Sequence, residues 1–239
     1  LRLLMVAVTL AVAALTAVGF FADRIKGGLQ RDARALIGGD SVVSSDKPTP
    51  ETVVAKAKQL GLQMVNNVSF PTMARAPDSL GGASKLVALK AVEPGYPLRG
   101  QLKTTSAPGE PERGTRDIPR AGSVWVDANL LDALGLKVGD SLALGAISLK
   151  VDRIIVVEPD RGAGFMNFAP RVMLNRDDLD ATGLVQPASR ITYRLAVVAS
   201  DQRQVREFAD WVAAREKAGE LRGLRLESLE GGRPEMSST

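Results

Sequence analysis

Residues 3–22 read LLMVAVTLAVAALTAVGFFA, 20 residues without a charged side chain. At a helical rise of about 1.5 Å per residue this run reaches roughly 30 Å, the thickness of a bilayer's hydrocarbon core. A helix apolar on every face does not suit the surface of a water-soluble domain. Thr9 and Thr16 are compatible with it, because a helical hydroxyl can bond back to its own backbone. Gly19, Phe20 and Phe21 stand where interfacial residues often stand. The run predicts a transmembrane helix over 1–22. The competing reading is a cleaved signal peptide, with Ala17-Val18-Gly19 as a possible cleavage site. An apolar core of about 7–15 residues is usual there, which is shorter than this run. The chain starts at Leu1, so it reads as a piece of a longer protein. Arg2 on one side and Arg24 and Lys26 on the other leave the orientation open.

Beyond the run, Ile25, Leu29, Ala33, Leu36 and Ile37 recur at helical spacing, which extends the helix as an amphipathic stalk over 23–38. Gly27-Gly28 weakens it and marks a candidate bend. Asp40–Ser45 is β-like. Thr49 suits an N-cap with Pro50 at N1, and Val53, Ala57 and Leu60 form one helical face before Gly61. A strand near 62–69 completes a β-α-β unit, the first half of a porter-like subdomain at 39–84. Arg190–Ala199, a helix capped by Asp201 with Gln204 as capping-box partner, and Leu224–Leu229 form a second unit over 189–230. Val205, Phe208, Ala209, Val212 and Ala213 give that helix a core-facing stripe. The two units predict one α+β sandwich with helices on one sheet face. Between them, 85–188 carries short strands at Lys85–Val92, Leu98–Lys103, Ser123–Val126, Ser141–Leu144, Ile147–Val157 and Pro170–Leu174. It also carries a helix capped by Asp127 and another starting near Asn175. That texture predicts an inserted, bent β-rich subdomain. Thr104–Gly122, rich in Pro, Gly and charge, reads as a mobile excursion, and 231–239 as a linker to a later segment.

The chain has no His and no Cys. This removes Ser-His and Cys-His nucleophile pairs, disulfides, and His- or thiolate-based metal sites. Gly139-Asp140-Ser141-Leu142 spells the GDSL block of an esterase family, but its serine needs a histidine base. A turn feeding a strand fits better. Ser44-Ser45-Asp46-Lys47 matches S-x-x-K without the helix that pairing needs. Asp178-Leu179-Asp180 only partly follows a calcium loop, and Asn67-Val68-Ser69 is a glycosylation pattern lying in a strand. There is no P-loop pattern. A net charge of +4 with two Trp and two Tyr argues against nucleic acid as a partner. No catalytic, cofactor-binding or metal-binding residue is assigned. Phe165, Met166 and Phe168 in the loop Pro159–Pro170 are the candidate contact residues. They either tuck onto the β subdomain or touch a lipid or partner protein.

Several segments carry a resemblance: Ala17–Ile25 (AVGFFADRI), Ile37–Asp40 (IGGD), Lys90–Gly100 (KAVEPGYPLRG), Val124–Gly145, Glu158–Asn175 (EPDRGAGFMNFAPRVMLN) and Arg233-Pro234-Glu235. In this order they resemble the FtsX-like, MacB-type ABC-transporter permeases, and within them the YbbP-like branch. The resemblance implies a first transmembrane helix followed by a MacB-like periplasmic core domain, with a porter-like part and a sabre-like insert. It implies a bacterial inner-membrane permease working by mechanotransmission. A separate cytoplasmic ATPase would bind ATP and Mg, with no cofactor in this chain. Lipid-like or apolar cargo and a periplasmic lysophospholipase or thioesterase partner are implied as well. A membrane-anchored binding or adaptor module without an ATPase is the alternative, and an esterase acting through Ser141 the disfavoured third.

Overall fold

The computed structural model describes residues 2–162, 168–186 and 189–228; within the first helix, positions 2–11, 14, 15, 26 and 30 are described by backbone alone. That helix, α1 (Arg2–Ile37), is 36 residues long, or about 54 Å. It passes through Gly27-Gly28 as unbroken helix, so the expected bend is not a break in the helix. Among the described residues, no helix is long and apolar enough to cross a membrane. Val18, Phe20 and Phe21 are nonetheless 68%, 64% and 66% exposed. The apolar stripe of the stalk is also uncovered at Ile25, Leu29 and Leu36. Among the described residues, the last turn of α1 is the part docked on the rest of the chain.

The remaining elements are β1 (Ser41–Ser45), α2 (Glu51–Gln59), β2 (Gln63–Arg75), β3 (Ser84–Val92), β4 (Leu102–Thr105), β5 (Arg113–Thr115), β6 (Ser123–Asp127), α3 (Ala128–Leu134), β7 (Ser141–Leu144), β8 (Ile147–Val157), β9 (Arg171–Asn175), β10 (Thr192–Val198), α4 (Gln202–Lys217) and β11 (Arg225–Ser228). They form a mixed α/β protein built on a single sheet in the order β11-β1-β10-β2-β3-β9-β6-β8-β4-β5, with β7 bridging β2 and β8.

The two β-α-β units share one sheet, with both helices on one face. They interlock: β10 sits between β1 and β2, and β1 sits between β10 and β11, all antiparallel to their neighbours. This is the split β-α-β arrangement of ferredoxin-like folds. Both helices cover one face, where Val53, Ala57, Val205, Phe208 and Val212 pack on Val43, Leu195 and Val197. The insert enters between β2 and β10. Its sheet is continuous with the first, because the 13-residue strand β2 pairs with β10 near its start and with β3 and β7 farther along. A second core lies on one face of this extension around Leu89, Leu130, Leu142, Leu144 and Val172. A third lies around Tyr96, Trp125 and Met173.

Local expectations held to within a few residues, with physical reasons for the shifts. Pro50, not Thr49, is the N-cap of α2, and no side chain caps it. Asp201 does cap α4, accepting from the Arg203 N–H, while Gln204 turns its amide toward Gly61. Ala213 is exposed and Ala209 only half-buried, which narrows the stripe of α4. Asp127 precedes α3 but gives it no side-chain cap, because its carboxylate is engaged elsewhere. Gly100 at φ +80 bends the chain, so β4 begins at Leu102 rather than Leu98. The excursion 104–122 includes β5, paired antiparallel with β4. The element after Asn175 is a short 3-10 turn, capped by the Asn175 side chain accepting from Asp177 N–H.

Candidate functional site

Lys90 is the only charge in the last seven residues of β3, which read LVALKAV, and the strand carries it into the interior. Its ammonium has side-chain exposure of only 4% and lies 2.9 Å from both Glu158 Oε1 and Asp160 Oδ2. Arg171, at the start of β9, donates from Nε to Glu158 Oε2 at 2.7 Å. The Tyr96 hydroxyl donates to Asp160, and Lys90 Nζ donates to that hydroxyl at 2.8 Å while lying 4.5 Å over its ring. Two cations and two carboxylates are thus enclosed together, and the turn Glu158–Asp160 after β8 supplies both anions.

A second cluster adjoins the first. The Asp40 carboxylate, 1% exposed, receives both arms of Arg99 at 2.8 and 2.7 Å. Arg34 of α1 approaches it at 3.5 Å and donates to Gln202 at 3.2 Å, while Gln202 donates to Asp40 at 3.3 Å. Arg194 of β10 donates to the Ile37 carbonyl at the C-terminal end of α1, where helix carbonyls lack partners and favour a cation. The helix end needs glycine at two places, one in the turn after it and one in the loop before β4. Gly38 adopts φ +78, and a Cβ there would stand 2.9 Å from Asp160 Oδ2. At Gly100 a Cβ would meet Pro159 at 2.8 Å and Ala35 of α1 at 3.2 Å.

These contacts form a joint. The last turn of α1 is held at once by the ferredoxin-like unit, through Asp40, Arg194 and Gln202, and by the insert, through Arg99, Gly100 and Asp160. A third pair fixes the neighbouring loop: Arg161 holds Asp127 at 3.1 and 2.5 Å, and Asp127 also accepts the Arg171 N–H.

Electrostatics follow from this geometry. Burial raises the Glu158 pKa, but the charges and hydrogen bonds of Lys90 and Arg171 outweigh it and hold the carboxyl down at about 2. Burial also raises Asp40, and Arg99, Gln202 and Arg34 more than reverse it, so its pKa is lowered. Burial, then Asp160 and Glu158, push the Tyr96 hydroxyl well above its ordinary value. A carboxylate with a depressed folded-state pKa stabilises above its unfolded value and loses that effect as pH falls through the folded one. For Glu158 the window runs from about 4.5 down to about 2, with an effect on the order of 3 kcal/mol. The urea midpoint is expected to fall across that window, and Glu158→Gln is expected to flatten the fall. An equally steep fall in the variant would refute the assignment.

Among the described residues, the motif and contact candidates singled out from sequence lie outside these clusters. Phe165 and Met166 fall outside the described residues, and Phe168 is 85% exposed. Ser141 is exposed at the start of β7, after the turn in which Lys137 N–H donates to the Asp140 carboxylate, while Leu142 is fully buried. The GDSL residues are therefore a turn and strand start. Ser44 and Ser45 lie in β1, with Ser45 Oγ accepting the Lys47 N–H. Asp178 accepts the Gly122 N–H, Asn67 is buried in β2, and Arg233-Pro234-Glu235 lies outside the described residues. The joint itself was not read from sequence. Its members are nevertheless concentrated in Ile37–Asp40, Lys90–Gly100 and Glu158–Asn175, and the available signal was a lysine inside an apolar strand.

A long helix is thus docked through buried ion pairs onto an interrupted ferredoxin-like unit. Over 231 residues, 97% of its length, the chain is 34% identical to a protein of Escherichia coli (strain K12) described as "Uncharacterized ABC transporter permease YbbP". The resemblance to YbbP-like permeases read in the sequence holds along nearly the whole chain. The chain spans 27% of that relative's length. No family model matches. Among solved structures, the periplasmic region of MacB from Actinobacillus actinomycetemcomitans aligns over 82% of this chain and 91% of its own, at 11% identity and TM-score 0.48. The extracellular domain of the noncanonic ABC-type transporter YknZ from Gram-positive bacteria aligns over 79% and 100%, at 12% identity and TM-score 0.48. At those scores neither likeness decides the fold; the strand order does.

Proposed function

We propose that the chain is a segment of the permease subunit of an ABC transporter of the FtsX/MacB mechanotransmission type. In this reading residues 1–22, which include the first part of α1, lie in the bacterial inner membrane and everything after the stalk lies in the periplasm. A greasy 20-residue run with Phe20 and Phe21 exposed is unfavourable in water and favourable in hydrocarbon. The ferredoxin-like unit is the porter-like part and the insert the sabre-like part. ATP and Mg belong to a separate cytoplasmic ATPase, whose movements travel along α1. The cargo is lipid-like or apolar. Nothing in the geometry singles out a periplasmic lysophospholipase or thioesterase, and the reading does not need one.

The single observation that carries this reading is the joint. A helix transmits displacement only if it is stiff and if its end cannot slip, and α1 is unbroken to Ile37 and then held by both halves of the domain. Leu29→Pro interrupts the stalk, at a cost of about 3 kcal/mol or more in local helix stability. In the full permease with its ATPase, wild type is expected to show an ATP-dependent change in hydrogen exchange over residues 63–92. Leu29→Pro is expected to lose that change while retaining ATP hydrolysis and assembly. Its persistence in the variant would overturn the proposal.

A further inference from the structure

The sheet face bearing Lys90 and Arg171 continues outward into a groove of about 670 Å³. This lies within the size range of small-molecule sites, roughly 300–1,000 Å³. Across the β2–β3 pair, Pro71 stands opposite Ala88 and Met73 opposite Leu86. Met73 and Leu86 are 52% and 48% exposed, so two large apolar side chains stand side by side open to solvent. They extend an apolar strip from the groove floor, which includes Pro71, Leu86 and Ala88, toward the hairpin end.

The other end of the strip is cationic. Arg161, Arg171 and Arg190 line the groove, and none of its described lining residues is acidic. Glu158 and Asp127, which neutralise Arg171 and Arg161 at 2.7 and 2.5 Å, do not themselves line the groove. Arg161 spends two of its nitrogens on Asp127 and keeps 30% side-chain exposure. Arg190 is exposed and has no ion pair among the described residues. Guanidinium groups favour planar anions with two acceptor oxygens, and an apolar strip favours a hydrocarbon chain. One ligand satisfies both ends.

We infer that this groove binds a long-chain carboxylate, its chain along Pro71, Leu86 and Met73 and its head group at Arg190 and Arg161. The inference deepens the cargo part of the function proposed above and rests on it. The site stands beside the joint: Arg171 lines the groove with one side and holds Glu158 with the other. An anion drawn toward Arg171 would compete with Glu158, which places cargo in contact with the mechanical centre.

The test is photolabelling of the full chain in phosphatidylcholine nanodiscs with a diazirine analogue of palmitate, without nucleotide. Labelled peptides are expected to map to 63–92. Palmitate is expected to displace the probe at least tenfold more effectively than hexadecanol, a difference of about 1.4 kcal/mol. Arg190→Glu and, independently, Leu86→Asp are each expected to cut labelling at least tenfold. Both positions are exposed, and cooperative urea unfolding of each variant checks that it folds. Equal displacement by hexadecanol would overturn the inference, as would labelling confined to residues 3–22. So would displacement by an acidic amphipathic peptide but not by palmitate, which would make the groove a protein-docking surface. Because no nucleotide is present, a failure here leaves the role of the stalk standing, and a failure of the proline variant leaves the groove standing.

Discussion

Lys90→Met is expected to lower the unfolding free energy by about 3–5 kcal/mol, because it leaves two buried carboxylates facing a single cation. Glu158 and Asp160 have side-chain exposures of 0% and 3%, so water cannot take the place of the lost ammonium. Methionine nearly preserves the volume, so cavity formation adds little and the loss reports charge imbalance. Urea unfolding of the wild type and variant at pH 7 measures it. A loss below about 1 kcal/mol would mean that the four groups are solvated or already partly neutral, and the description of the joint would fail.

The companion experiment separates stability from mechanism. Replacing Lys90, Glu158, Asp160 and Arg171 together with apolar residues of similar size is expected to recover most of the lost stability. Buried ion clusters are often no more stabilising than a well-packed apolar substitute. If α1 transmits movement as proposed, the response to ATP is not expected to return, because the apolar set lacks the directional bonds that tie β3 and β9 to the Glu158–Asp160 turn packed against Gly38.

The second large effect is expected from a single methyl group. Gly38→Ala places a Cβ in a left-handed conformation, which costs about 1–2 kcal/mol by itself. It also sets that Cβ 2.9 Å from Asp160 Oδ2, so either the helix end or the carboxylate must move. A total of about 3–4 kcal/mol is expected. Gly135→Ala is the control: that glycine ends α3 at φ +64, and a methyl group there would meet nothing within 4 Å. It should show the conformational cost alone. Thermal or urea unfolding of the two variants measures the difference. Equal losses would mean that Asp160 yields freely and that α1 is not locked against it.

The sequence showed the units of this fold well because local physics writes them locally. Asp201 before a stripe at Val205, Phe208 and Val212 marks a capped helix, and Gly61 marks a stop. Alternation over residues 147–152 marks the start of β8 as a strand with two unlike faces. The order of the strands was less accessible. The short β-like run marks β1 as a strand, but not that β10 rather than β2 lies beside it. The joint was hidden for the same reason in a sharper form. Lys90 and its two carboxylate partners are 68 and 70 positions apart, and Asp40 is 59 from Arg99. A charge that is paired and buried reads, in one dimension, like any surface charge.

What the residues determined unaided was therefore everything set within one turn or one strand: the long apolar helix, its stalk, the two β-α-β units and the β-rich segment between them. It also included the absence of any histidine or cysteine for catalysis. The tertiary structure alone decided how those units interlock and which charges leave water together. It likewise decided that the end of α1 is gripped by both halves of the domain. Such contacts join residues whose separation along the chain carries no signal, and their free energy arises only once folding has lowered the surrounding dielectric and brought the partners within about 3 Å.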